Sequence, residues 1–86
     1  MASYQIELKR SAEKDLRKLP KDVVKRVFIH IEALAEDPLP RQAVKLAGKE
    51  RFFRLRVGDY RIIYEVVSHK SVIVVHHVRH RRDAYR

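Results

Sequence analysis

The stretch from Phe52 to Tyr64, FFRLRVGDYRIIY, concentrates side chains able to act on an anion. Arg54, Arg56 and Arg61 alternate with apolar residues on either side of a Gly58-Asp59 pair. Period-two alternation marks a half-buried strand, and Gly-Asp between two such runs marks a hairpin turn. With Gly58 and Asp59 as the loop, Val57 pairs with Tyr60, Arg56 with Arg61 and Arg54 with Ile63. Opposed residues share a face, so the three arginines fall on one side. Like charges directly across a sheet are destabilising, on the scale of about 0.2–1 kcal/mol per pair. An anion among them relieves that repulsion. A guanidinium is planar, permanently charged and matches phosphate oxygens with paired N–H donors. The chemistry indicated is phosphate recognition.

A second basic group closes the sequence, VRHRRDAYR from Val78 to Arg86. It brings Arg79, His80, Arg81, Arg82 and Tyr85 just beyond a β-rich segment. A tyrosine among arginines suits single-stranded RNA, whose bases stack on aromatic rings for about 1–3 kcal/mol each. Lys45 and Lys49, upstream of the hairpin, join Arg79 and Arg82 as candidate contacts to an RNA backbone. His76, His77 and His80 raise a metal reading. Adjacent histidines on a strand point to opposite faces, and there is no cysteine, so no metal site is expected. One of His76 and His77 reads instead as a packed, hydrogen-bonded sheet residue. No phosphate-binding glycine loop, serine-nucleophile motif or carboxylate pair is present, and no cofactor is implied.

The elements that must position these groups follow from hydrophobic spacing. Residues 4–8, YQIEL, read as a strand. Ser11 is a candidate N-cap for a short helix carrying Ala12, Leu16 and Leu19 up to Pro20. From Lys21 a longer helix places Val24, Val27, Phe28, Ile31, Leu34 and Ala35 on one face, with Lys25, Arg26, Glu32 and Glu36 opposite. Asp37-Pro38 ends it. Residues 38–50 hold two prolines and a glycine and read as a connecting arm. The hairpin strands are 51–57 and 60–67, and SVIVVHHV, 71–78, is a central strand covered on both faces. Residues 79–86 form a short basic tail. The expected fold is α+β, in the order β-α-α-β-β-β: an N-terminal strand, a helical hairpin and a three-stranded antiparallel meander. Phe53, Leu55, Val57, Ile62, Tyr64 and Val66 share a parity that faces the helices, so the arginines face away.

Composition sets the bounds. At 86 residues the chain reads as one domain, 1–86. A chain of this size buries only about 60–65% of its extended surface. Lysine and arginine number 20 against 11 acids, a net charge of +9. Residues 1–40 carry 8 bases and 7 acids, net +1, whereas 41–86 carry 12 and 4, net +8. The imbalance comes from the loss of acids and favours a polyanionic partner, nucleic acid or an acidic protein. Without cysteine, signal peptide or an apolar run near the ~20 residues that span a bilayer, a soluble cytoplasmic protein is expected.

Leu46 to Val66, LAGKERFFRLRVGDYRIIYEV, followed by VRHRRDAYR, resembles the RelE branch of the RelE/ParE toxin superfamily. The R-L-R-x-G-x-Y-R-x-x-Y run carries most of the likeness, and the H-R-x-x-x-Y ending leans it towards RNA cleavage. The resemblance implies the toxin of a type II toxin–antitoxin pair. Such a toxin is a metal-independent endoribonuclease that enters the ribosomal A site and cuts mRNA by 2′-OH attack on the adjacent phosphate. It implies a cognate acidic antitoxin, the ribosome and mRNA as partners. By the same likeness Arg61 and Arg81 match arginines that hold the scissile phosphate, and Tyr85 a tyrosine that orients a base. Arg54 and Arg56 stand where well-known members have lysines, one of them a general base. Arginine does not deprotonate in proteins, so that role passes elsewhere, and His80 is the nearest titratable candidate. Two other functions share the scaffold: a ParE-like toxin that inhibits DNA gyrase without nuclease chemistry, and a non-catalytic RNA- or antitoxin-binding module.

Overall fold

A computed structural model describes residues 3–82. In chain order the elements are β1 (Gln5–Leu8), α1 (Arg10–Arg17), α2 (Lys21–Glu36), β2 (Val44–Lys45), β3 (Phe52–Val57), β4 (Tyr60–Val67), a 3-10 turn (Ser68–Lys70) and β5 (Val72–His80). All five strands form one sheet in the order β1-β5-β4-β3-β2. The α+β order and the β3-β4-β5 antiparallel meander are those expected.

Two features enlarge the sheet. β1 joins β5 in parallel, from Gln5 opposite Val72 to Leu8 opposite Val75, so the sheet is mixed. Within the arm 38–50, Val44 and Lys45 pair antiparallel with Arg54 and Phe53. Two residues are too short to alternate visibly, and it is the exposed ladder of β3 that recruits them.

β5 also runs two residues beyond the expected 71–78. Tyr60 and Arg61 on β4 offer ladder partners to His80 and Arg79, which are therefore strand residues and not tail. Its central portion is covered on both faces, since Ile73 and Val75 are inaccessible and Val74 nearly so.

The expected Ser11 cap is not formed. α1 begins at Arg10, with Lys9 in the N-cap position and no side-chain cap. β1 stops opposite Val75 while β5 continues, leaving the side of β5 unpaired beyond that point. Helix α1 covers it. The Lys9 N–H donates to the Val75 carbonyl at 2.9 Å, and Ser11 Oγ donates to the His76 carbonyl at 2.6 Å. Asp15 Oδ2 accepts the Val78 N–H at 3.0 Å. An unpaired buried backbone donor is costly, and an open sheet edge invites other strands, so Ser11 serves the sheet instead of its own helix.

Helix α2 buries Val23, Val27, Ile31 and Leu34, with Val24 and Phe28 only partly covered. The apolar stripe is thus rotated towards Val23, which the sequence reading left out. Against it pack Leu55, Val57, Ile62, Tyr64 and Val66 of the hairpin, with Phe53 partly buried beside them. Tyr64 is fully inaccessible, and its hydroxyl donates to the Pro38 carbonyl at 2.8 Å, tying the end of the helical hairpin to the sheet. Burial, and secondarily the negative charge of Asp37, push its pKa from 10.0 up to about 12.

Two stability experiments follow. Asp15→Ala strands the Val78 N–H and should cost about 1–3 kcal/mol in urea unfolding, with Asp15→Asn losing less because its amide oxygen still accepts. Tyr64→Phe should cost about 1 kcal/mol at neutral pH. A raised folded-state pKa stabilises fully below the unfolded value of 10.0 and is lost as pH climbs towards about 12. Over that window wild type should lose on the order of 3 kcal/mol that Tyr64→Phe does not lose. Parallel pH profiles of the two proteins would contradict this account.

Candidate phosphate-binding face

Strand register assembles the arginines. Arg56 lies opposite Arg61 on β4, and Arg61 opposite Arg79 on β5. Adjacent strands are about 4.8 Å apart, so three guanidinium-bearing positions form one row across three strands. A second row holds Val44, Arg54, Ile63 and His77 on the same face. This face points away from α1 and α2, as the alternation requires. Arg54 and Arg61 are half-buried, whereas Arg56 and Arg79 are exposed.

The turn holds the row at one end. Gly58 has φ +59 and Asp59 does not take a positive φ, the type II′ pattern that suits a twisted hairpin. A side chain at position 58 would be strained there. Arg56 Nε donates to the Gly58 carbonyl at 3.0 Å, and the Arg81 N–H donates to the Asp59 carbonyl at 2.7 Å. The second bond brings the segment after β5 alongside the row.

Two clefts meet there. A groove of about 590 Å³ is lined by Gln42, Val44, Arg54, Arg56, Gly58 and Arg61. A smaller one of about 320 Å³ is lined by Arg56, Arg61, Arg81 and Arg82. Arg56 and Arg61 wall both. A phosphate at that shared pair could accept charge-assisted hydrogen bonds from more than one guanidinium.

Other candidates from the sequence are not brought to this place. His80 is in register with Tyr60, the parity that faces the helices, and its ring stands edge-on to Tyr60 at 5.2 Å. Its Nδ1 accepts the Arg82 N–H at 3.3 Å. Lys45 is opposite Phe53, the parity away from Arg54, and is exposed. The Lys49 ammonium sits 5.2 Å above the Phe52 ring, at the end of the face remote from the turn. Tyr85 lies outside the described residues.

The histidine pair departs from simple alternation. A bulge in the β4–β5 ladder leaves His76 as an extra residue, since Ile63 pairs with His77 but Tyr64 with Val75. A bulge of this kind re-aims a side chain, and both rings reach the arginine face. His76 Nε2 lies 3.1 Å from Glu65 Oε1, with its ring 4.9 Å from that of Phe52. His77 Nδ1 is 3.2 Å from Asp15 Oδ2, and Arg79 Nη2 approaches the same nitrogen at 3.2 Å. The expectation that the two rings point to opposite faces is thus overturned by the inserted residue. Each has its own carboxylate, and among the described residues no group of three or more His, Cys, Asp or Glu could hold a metal ion.

Gln42 and Val44 went unnoticed in the sequence because the arm that holds them has no periodicity. Only the pairing of Val44 with Arg54 places them in the groove.

The crowding of cations makes a prediction. Arg56→Gln should stabilise the unliganded protein at low salt by about 0.2–1 kcal/mol. The gain should shrink as salt rises from roughly 20 to 300 mM, because screening already weakens the repulsion. A gain independent of salt would point to a packing effect instead.

Comparison with known proteins places this arrangement in a family. Residues 6–85 match the family described as the ParE toxin of type II toxin–antitoxin system, parDE. Toxin RelE3 of Methanocaldococcus jannaschii is 33% identical over 76 residues, covering 84% of each chain. Toxin RelG of Mycobacterium tuberculosis is 28% identical over 88 residues, 96% of this chain and 97% of that one. The archaeal RelE–RelB complex from Pyrococcus horikoshii contains a chain that superposes with a TM-score of 0.81 at 31% identity, covering 92% of this chain and 96% of its own. With its helical hairpin, its arginine face and all of its sheet but Gln5 inside the matched span, this chain belongs to the RelE/ParE superfamily of type II toxin–antitoxin toxins.

Proposed function

We propose that the chain is a ribosome-dependent endoribonuclease that cuts mRNA in the A site, held inactive by a cognate acidic antitoxin. The observation that carries this reading is the row Arg56–Arg61–Arg79, with Arg81 lining a cleft shared with its first two members. In the proposed reaction a ribose 2′-oxygen attacks the adjacent phosphorus and the bond to the 5′-oxygen breaks, leaving a 2′,3′-cyclic phosphate. Negative charge builds on the phosphate oxygens as five bonds form. Preorganised donors at that position are a dominant source of rate enhancement. Arg54 and Arg56 stay protonated, so they contribute electrostatics alone. The 2′-OH proton therefore goes to a group outside the hairpin, and His77 is an imidazole that shares the arginine face, whereas His80 does not.

The antitoxin follows from the same charge. The solved relative from Pyrococcus horikoshii is a complex of RelE with RelB. In this chain residues 41–86 carry 12 bases against 4 acids, an excess that an acidic segment would neutralise while closing the phosphate site. A cytoplasmic location accompanies the proposed target, and no helix among the described residues is long and apolar enough to cross a membrane.

The match to the ParE description favours one rival, gyrase inhibition without nuclease chemistry. Mapping mRNA ends by primer extension after induction, beside plasmid supercoiling, separates the two. Codon-phased cuts with unchanged supercoiling support the nuclease. On programmed ribosomes Arg61→Ala should lower the single-turnover rate by roughly 10²–10³, the scale for losing one such donor. Lys45→Ala, off the arginine face, should chiefly weaken ribosome affinity and flatten its salt dependence. Equal losses of rate from both substitutions would refute this division of roles.

A further inference from the structure

Arginines that hold phosphates position a nucleic acid but do not read it. The two clefts that share Arg56 and Arg61 differ in what else they contain. The smaller is arginine throughout: Arg56, Arg61, Arg81 and Arg82. The larger, at about 590 Å³, adds Val44 and Gln42. That volume accommodates a nucleoside. Val44 is 49% exposed, and its register with Arg54 turns it onto the arginine face, where it offers an apolar surface to a base. Gln42 has the one side chain among the groove's lining residues that carries both a hydrogen-bond donor and an acceptor. The arginines there can only donate.

We infer that this groove is a base-reading subsite for the nucleotide adjoining the phosphate held at Arg56 and Arg61, and that Gln42 makes it prefer adenine. The inference rests on the RNA reading above and adds to it the determinant of sequence preference. Adenine presents an amino donor beside a ring-nitrogen acceptor, the pattern a carboxamide meets in two hydrogen bonds. In an unpaired strand adenine offers that pattern on two edges, its amino group beside N7 and beside N1, whereas cytosine, uracil and guanine each offer a donor beside an acceptor on their Watson–Crick edge alone. Guanine's two adjacent acceptors suit a guanidinium, so Arg54 is the competing reader in the same groove. Arg54 lies in register with Val44 on the strand floor of the groove, while Gln42 enters from the arm before β2. The exposed position of Gln42 means that changing it does not disturb the core.

The test is equilibrium binding of short single-stranded RNA oligomers in which one base is varied among flanking uridines, read by fluorescence anisotropy. Wild type should bind the adenine oligomer about fivefold to a hundredfold more tightly than the others, the range for one good bidentate base contact. Gln42→Ala should erase that preference and leave the salt slope unchanged, because no phosphate contact is lost. Gln42→Glu, an acceptor alone, should lose the adenine preference, because a carboxylate cannot donate to the ring nitrogen. Thermal midpoints equal to wild type would establish that both variants are folded. If wild type binds all four oligomers alike, or if its preference survives in Gln42→Ala, the inference is overturned. A guanine preference abolished by Arg54→Gln overturns it too, and names Arg54 as the reader. Failure of the nuclease reading looks different: base preference persists in these assays, yet no cleavage occurs on programmed ribosomes.

Discussion

The two-residue turn at Gly58-Asp59 sets the register on which the rest of the molecule depends. From it, six facing pairs run back from Val57–Tyr60 to Phe52–Glu65. Because side chains alternate, a slip of β3 by one residue against β4 would carry Leu55 and Val57 to the outside. The same slip would drive Arg54 and Arg56 under the helices, where unpaired charges are prohibitive. The core and the arginine row are therefore one constraint seen from two sides. The repulsion within the row, on the order of 1 kcal/mol, is small against the cost of that inversion.

β5 extends the constraint to the helices. It lies between β4 and β1, and beyond the end of β1 its unpaired side is taken over by Ser11 and Asp15 of α1. Asp15 stands at a junction. One of its oxygens receives the Val78 N–H and neighbours His77, whose ring meets Arg79 at the end of the row. A helix that buries Ala12 and Leu16 in the core thus also positions the outer margin of the basic face. Packing and site geometry are linked through few side chains.

Electrostatics then separates what the face can do from what it cannot. Guanidinium groups remain charged at all accessible pH values, so the row is a permanent field aimed at an anion and not a proton relay. Titratable groups lie at its margins: His76 with Glu65, and His77 with Asp15. Fixed charge and titratable groups thus occupy different positions on the face.

The sequence by itself determined the hairpin, its turn, the common parity of three arginines and the order of helices and strands. Those features depend on local periodicity and on the stereochemistry of glycine, both written within a few residues. Tertiary structure decided the rest. Arg79 joined the row because β4 was long enough to pair with it. His76 and His77 came to one face through a bulge that only the mismatch between two strands reveals. His80 turned towards Tyr60 for the same reason that Arg79 did not: strand pairing, and not proximity in sequence, chose its face. Ser11 left its helix cap to satisfy a distant carbonyl, and Gln42 entered the groove when β2 found the edge of β3. Each of these outcomes is set by a hydrogen-bonding partner far away in the chain, which no local pattern encodes.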